Sequence, residues 1–253
     1  MTISYHGALP RKKVFTWDKI GYFRPDQNLL MHSLCYRVDV LREANLPLPA
    51  HTFYVDNIYA YVPLPHCKTM YYADIDLYRY FIGREGQSVN EATMIRRLDQ
   101  QFRITRIMMN AYHLYTDVKE PRLASYMMGY FTMMMSVCSI FSKLSEEDRW
   151  KEESKRLWAE LKEYDERMYR HARCGILGIG TNLPRRRGRR PRSGSIAQQA
   201  RSSNSINIAP VGAGHIVVLN ILEGPAAPGL LRNCARNDTP GHLLYIHLRR
   251  FGR

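Results

Sequence analysis

The chain has 253 residues and a formal charge of +14, with 45% apolar and 11% aromatic residues, enough for a packed core in one or two domains. Five cysteines stand at 35, 67, 138, 174 and 234, odd in number and without a C-x-x-C. They exclude a disulfide framework and a zinc site and suit a reducing cytosol. MTISYHGALPRKK lacks an apolar h-region, so no secretory signal is expected there.

Residues 1 to 28 are turn-rich, with Gly7, Pro10, Gly21 and Pro25. FTWDKIG (Phe15 to Gly21) reads as a short helix start. Leu29 to Val40, apolar with β-branched and aromatic members, reads as a strand or a short helix, the strand into a site being favoured. LPLP (Leu46 to Pro49) is a loop. Asp56 to Val62 opens as a short helix, since Asp is a good cap, and Pro63 and Pro65 end it. Lys68 to Ala73 is a strand, and Leu77 to Gln87 a polar loop.

Ser88-x-x-Glu91 is a capping box ahead of a periodic run. Ile95, Leu98, Phe102, Met109 and Tyr112 form its stripe, with Arg96, Arg97, Arg103 and Arg106 off it. A second helix starts near Pro121, a residue suited to a first turn. Leu123, Met127, Tyr130, Met134, Val137 and Phe141 repeat there at steps of four and three. A third helix has Ser145 as cap and a seam of Trp150, Leu157, Leu161, Tyr164 and Met168, with Ser154 its polar member. Glu152 with Arg156, and Glu166 with Arg170, are favourably ordered i,i+4 pairs. Short links between the three predict an antiparallel helical bundle.

Leu123 to Ser142 is 20 residues without a charge, the length of a membrane span. Its serines, tyrosines and seam pattern read instead as a core helix, with Met filling gaps. After Pro184 the character changes. RRRGRRPR (Arg185 to Arg192) opens a region, 185 to 253, with twelve arginines, no lysine and two acidic residues. That region holds +10 of the net charge and leaves +4 to the first 184 residues. Apart from the short run HIVVLNIL it has no apolar pattern, and it is expected to be a disordered basic tail.

The densest chemistry lies between Phe53 and Glu91, where tyrosines, arginines and an isolated Asp crowd together. Asp56 is the sole carboxylate between Glu43 and Asp74. With apolar neighbours it is expected to have a raised pKa and to serve as a base, or else to cap a helix. FYVDN followed by LYRYFIGREGQSVNE, with FTWDKIG and LLMHSLCYR, resembles the C-terminal half of a bacterial family 2 glycosyltransferase over residues 5 to 184. The resemblance implies a GT-A fold, a nucleotide-sugar donor and a glycan or lipid-linked acceptor. It implies Asp56 as the catalytic base, although Val55 stands where the family often has a second acidic residue. It places His32, Tyr54 and Asn57 at the substrate and Arg79, Arg84 and Gln87 near the donor diphosphate, where guanidinium groups and the Ser88 helix start suit phosphate. His32 also reads as a core histidine.

The resemblance also implies a divalent metal, Mn or Mg, in the intact enzyme, held by a D-x-D ahead of the base. Asp74-Ile75-Asp76 follows the base and is read as a chance match, so no metal ligand is assigned and no cofactor is expected for this chain alone. The expectation is an α+β protein: residues 1-87 the acceptor side of a GT-A domain, 88-175 a helical bundle, 176-253 a basic tail. It is an N-terminally truncated fragment, inactive alone, with a tail that reads like an out-of-frame stretch. It is placed in the cytoplasm, with peripheral contact at the inner face of the membrane where lipid-linked acceptors reside. The rival reading is a helical interaction module whose basic tail docks on nucleic acid or anionic membrane; nucleic acid is not the favoured partner, since the arginine run has no interleaved aromatics.

Overall fold

A computed structural model of the chain describes residues 4–24, 27–78, 91–182 and 214–219. The architecture is α+β: a small sheet beside a larger helical body. β1 (Val14–Phe15) leads to a 3₁₀ turn at Trp17–Lys19, where a helix start was expected. The Trp17 indole is buried and donates to the Cys67 carbonyl at 2.8 Å, which ties the turn to the core.

Leu29 to Val40 departs from the single strand its composition predicts. It divides into a 3₁₀ turn (Met31–Ser33), β2 (Leu34–Tyr36) and the opening of α1 (Val38–Glu43). The turn closes on itself because Ser33 Oγ donates to the Leu30 carbonyl at 2.8 Å while Tyr5 bonds the same hydroxyl at 2.9 Å. α2 (Asp56–Tyr61) forms as expected and stops before Pro63, and a further 3₁₀ turn, Leu64–His66, follows. β3 (Met70–Tyr78) runs longer than the predicted strand and takes in Leu77 and Tyr78 from the expected loop.

The sheet order is β1-β3-β4-β2, where β4 is Gly214–Leu219. β4 pairs antiparallel with β3 (Tyr71 with Val218) and parallel with β2 (Cys35 with Val218). This corrects the expectation that the whole region after Pro184 stays unordered. HIVVL is too short to fold alone, but its β-branched residues suit a strand, and here it has a partner on each side. The segment after Gly175 likewise forms α8 (Ile176–Asn182), packed on the body. Gly178 permits that packing, since a Cβ there would lie 1.9 Å from the Ala172 carbonyl oxygen. The arginine run 185–192 and the capping-box serine, Ser88, lie outside the described residues.

The helical body is built from α3 (Glu91–Arg96), α4 (Leu98–Ala111), α5 (Pro121–Leu144), α6 (Asp148–Tyr164) and α7 (Glu166–Cys174). The first periodic run is therefore broken in two. Arg97 leaves helical geometry at φ −110°, ψ 26°, and its carbonyl accepts from Gln100 and Gln101 to start α4 afresh. The long seam after Trp150 is also broken. Asp165 is extended and its carboxylate caps α7 by accepting from Met168 N–H at 2.9 Å. Ser145 is not the cap of α6. It ends α5, buried, and its hydroxyl accepts from Glu147 N–H at 3.2 Å. Of the two predicted ion pairs, Glu166–Arg170 forms at 2.7 Å, whereas Glu152 pairs with Lys155 and Arg156 with Glu153.

α5 is the axis of the body, touching α4, α6, α7 and α8. It is long and apolar enough to cross a membrane, with a mean hydropathy of 1.3, yet 78% of that window is buried inside the fold. Three of its buried hydroxyls are compatible with that position because they bond back along the helix, whereas Ser136 Oγ is buried without a partner. Thr132 donates to the Met128 carbonyl, Ser139 to Met135 and Ser142 to Cys138, at 2.6–3.0 Å. Ser139 also accepts from the Trp158 indole at 2.9 Å, fixing α6 on α5. One continuous hydrophobic core runs from Tyr5 to Ala172 and spans sheet and helices alike. Each large side chain in it contributes about 1.5–3 kcal/mol of burial.

Candidate functional site

Asp56 is the first residue of α2, a helix that buries Ile58, Ala60 and Tyr61 against the core. The chain enters it through a strained turn: His51 and Tyr54 have φ of 50° and 68°, a left-handed region that non-glycine residues seldom occupy. The turn is held from three sides. The Tyr54 carbonyl accepts from Asn57 N–H at 3.1 Å and from Asn57 Nδ2 at 3.0 Å. Phe53 N–H donates to Gln100 Oε1 on α4 at 2.7 Å. On the far side, Tyr130 of α5 donates its hydroxyl to Asn57 Oδ1 at 2.9 Å. Asn57 thus uses both ends of its amide to tie α2 to the turn before it and to the central helix.

The Asp56 carboxylate is less well provided for. It accepts a long contact from Asn57 Nδ2, at 3.4 Å. Burial pushes its carboxyl above the usual value of 3.8; the backbone N–H groups of Asp56 and Asn57 and the charge of His32 pull the other way and do not offset it. A desolvated carboxylate with few donors is the combination that makes a base of a group otherwise too acidic for the task. No side-chain cap bond is made at Val55, the residue preceding α2, and Asp56 lies within the helix's first turn rather than ahead of it. His32, in the turn before β2, faces the same carboxylate electrostatically. Burial pushes its imidazole below the ordinary value and Asp56 draws it back. Tyr54 is the third member. Burial raises its phenol, Arg97 lowers it, and Asp56 and Asp99 raise it.

Four of the seven residues expected at the site are therefore described, and His32, Tyr54, Asp56 and Asn57 come together from two separate elements. Arg79, Arg84 and Gln87 lie outside the described residues. Three contributors carried no signal in the sequence. Tyr130 reads as one more member of an apolar stripe, Gln100 as a surface position, and Arg97 as an off-stripe arginine. Only the fold brings them to the turn before α2.

Asp74, the first carboxylate of the D-x-D, is arranged quite differently. It sits at φ 54° in an irregular stretch of β3. His6 Nε2 lies 2.6 Å from its Oδ1, Tyr72 donates to the same oxygen at 3.0 Å, and Arg11 reaches Oδ2 at 3.2 Å. Desolvation alone would raise its carboxyl, but the hydrogen bonds from His6, Tyr72 and Arg11 outweigh it and hold the group well below the usual carboxylate range. A carboxylate so fully engaged with cationic and hydroxyl donors has no open face for a cation. Among the described residues no three His, Cys, Asp or Glu side chains converge as a metal site.

No protein family, curated protein or solved structure compared with the chain matches it.

Proposed function

We propose that this chain forms the acceptor side of a glycosyltransferase that uses a nucleotide-sugar donor and a glycan or lipid-linked acceptor. Asp56 is its general base. The acceptor hydroxyl gives its proton to the Asp56 carboxylate as its oxygen bonds to the anomeric carbon, and the nucleoside diphosphate leaves from the opposite side. The observation that carries this reading is the state of Asp56: desolvated, with its carboxyl raised despite neighbouring N–H donors, at the head of a buried helix. His32 beside it is kept toward its neutral form by burial and can share a hydrogen bond with substrate or base without neutralising the carboxylate. Tyr54 presents an amphipathic ring of the kind that stacks on or hydrogen-bonds a sugar. The motif FYVDN, which carries the family resemblance, spans the strained turn and the head of α2.

The test joins the chain to the nucleotide-binding half of a family 2 enzyme and follows release of the nucleoside diphosphate. Transfer that falls about 10²- to 10⁴-fold in Asp56→Asn, with the fold intact, is the expected result for loss of a general base. Transfer at the parental rate in that variant would remove Asp56 from the chemistry. Strong, salt-sensitive retention of the unfused chain on DNA, with no recoverable transfer, would favour the interaction module instead.

A further inference from the structure

Arg97 stands at the break between α3 and α4 and has an unusual environment. Its guanidinium carbon lies 3.4 Å from the centroid of the Phe53 ring, so the planar group is stacked face-on against it. Stacking satisfies the faces of the guanidinium but none of its N–H bonds, which point outward in the plane. Nη1 is buried and has no hydrogen-bond partner. A buried donor without an acceptor costs about 1–3 kcal/mol, and more when it is charged. An acceptor for such a group comes from water, an ion or a ligand, and for a charged donor an anionic ligand suits best.

The neighbours narrow the choice of ligand. Phe53 immediately precedes Tyr54, and Arg97 acts through space on the Tyr54 phenol, on which Asp56 acts as well. Phe53 is 42% exposed, so the ring side of the stacked pair reaches solvent. Asp99, in the first turn of α4, also acts on that phenol. The Tyr54 phenol thus stands in a mixed field of one guanidinium and two carboxylates. Such a field does not collect anions by net charge. It takes an oxyanion at one place, along the in-plane N–H bonds of Arg97, where bidentate geometry is strongest.

We propose that Arg97, held against Phe53, is an oxyanion-binding residue that takes a phosphate ester of the substrate beside Asp56. The proposal rests on the transferase reading only for the word substrate; the oxyanion site itself stands on the geometry of Arg97. Two substrate phosphates share this chemistry, the donor's diphosphate and the phosphate of a lipid-linked acceptor.

The experiment titrates inorganic pyrophosphate into the full 253-residue chain while the side-chain guanidinium resonance of Arg97 is followed by NMR. The expected result is a saturable shift of that resonance and a loss of affinity of about tenfold or more in Arg97→Gln, the scale of one charge-assisted bond. Arg97→Lys keeps the charge but not the fork, and should also bind more weakly. Uridine diphosphate and farnesyl diphosphate, run in parallel, separate the sources: the one that binds more tightly than pyrophosphate, and only with Arg97 present, is the match. No shift of the wild-type Arg97 resonance with any of the three probes overturns the proposal, and this reading needs no variant to fold. Equal affinity in wild type and Arg97→Gln overturns it too. Asp56→Asn should bind pyrophosphate at least as well as wild type, because a nearby negative charge is removed. If Arg97-dependent binding persists while the fused enzyme shows no Asp56-dependent transfer, the transferase reading falls and the oxyanion site stands.

Discussion

Asp56 and Asp74 are both aspartates with little solvent access, and they occupy opposite electrostatic states. Asp74 is held by an imidazole, a guanidinium and a phenol, and its carboxyl is depressed. Asp56 has a long contact from the Asn57 amide and the backbone N–H groups of Asp56 and Asn57, with no cationic donor on it, and burial still lifts its carboxyl. The difference teaches which carboxylate can do chemistry. A saturated one serves as a clasp between the N-terminal segment and β3, and its proton affinity is spent on structure. An undersatisfied one destabilises the fold slightly and retains affinity for a proton that a substrate can supply.

The largest expected effect separates the two by activity. In the fused enzyme Asp56→Asn should lower turnover by about 10²- to 10⁴-fold, whereas Asp74→Asn, away from the reacting atoms, should stay within a few-fold of the parent. Comparable losses from both changes would erase the distinction.

Stability should rank them the other way round. Asp74→Ala removes the shared acceptor of three donors and should cost about 1–3 kcal/mol in a urea titration. Asp56→Asn keeps the shape of the side chain and relieves a desolvated charge, so it should leave stability at neutral pH unchanged or slightly higher. A marked loss in Asp56→Asn would mean that the carboxylate is a structural acceptor after all.

The pH dependence of stability should carry opposite signs. Asp56 has a folded-state pKa above the ordinary 3.8, so its favourable contribution is complete below 3.8 and is lost as pH rises through the raised value. Asp74 has a folded-state pKa below 3.8, so its contribution is complete above 3.8 and is lost as pH falls toward the depressed value. Denaturant titrations from pH 3 to pH 7, taken as differences between wild type and each Asn variant, should therefore slope in opposite directions. Parallel slopes would show that the two environments are alike.

The smallest effect tests the support behind Asp56. Tyr130→Phe deletes the hydroxyl that holds Asn57 and should cost about 0.5–1.5 kcal/mol. In the fused enzyme it should also reduce turnover by less than Asp56→Asn does. An Asn57 side chain that keeps its hydrogen-exchange protection in Tyr130→Phe would show that the tie is dispensable.

Elements that depend on local signals were legible in the sequence. α5 begins at Pro121, and its stripe from Leu123 to Val137 is buried as the spacing requires. α2 lies between Asp56 and the two prolines that end it. The isolation of Asp56 among apolar residues was enough to anticipate its raised pKa. What the chain did not reveal depends on partners distant in sequence. Nothing near Arg97 announces its contact at the helix break, because its stacking partner, Phe53, stands 44 positions earlier. Nothing in the apolar stripe distinguishes Tyr130 until Asn57 is placed opposite it. HIVVL is too short to fold as a lone strand, a limit that lapses once β2 and β3 flank it.

The methionines of α5 have a consequence for how the protein ages. Met127, Met128, Met134 and Met135 are buried along the central helix, and Met133 is partly so. Conversion of any of them to the sulfoxide puts a polar, chiral group into a packed interior, although the Met133 and Met134 sulfurs already face the amides of Asn28 and Gln101. Peroxide reaches the buried sulfurs when the helices part, so at a given oxidant level their oxidation reports how often the body opens. Once one sulfur has been modified, the helix returns to a looser seat and the next is reached sooner. The centre of the fold is therefore also a clock, and damage to this protein should accumulate in molecules already damaged instead of spreading evenly through the population.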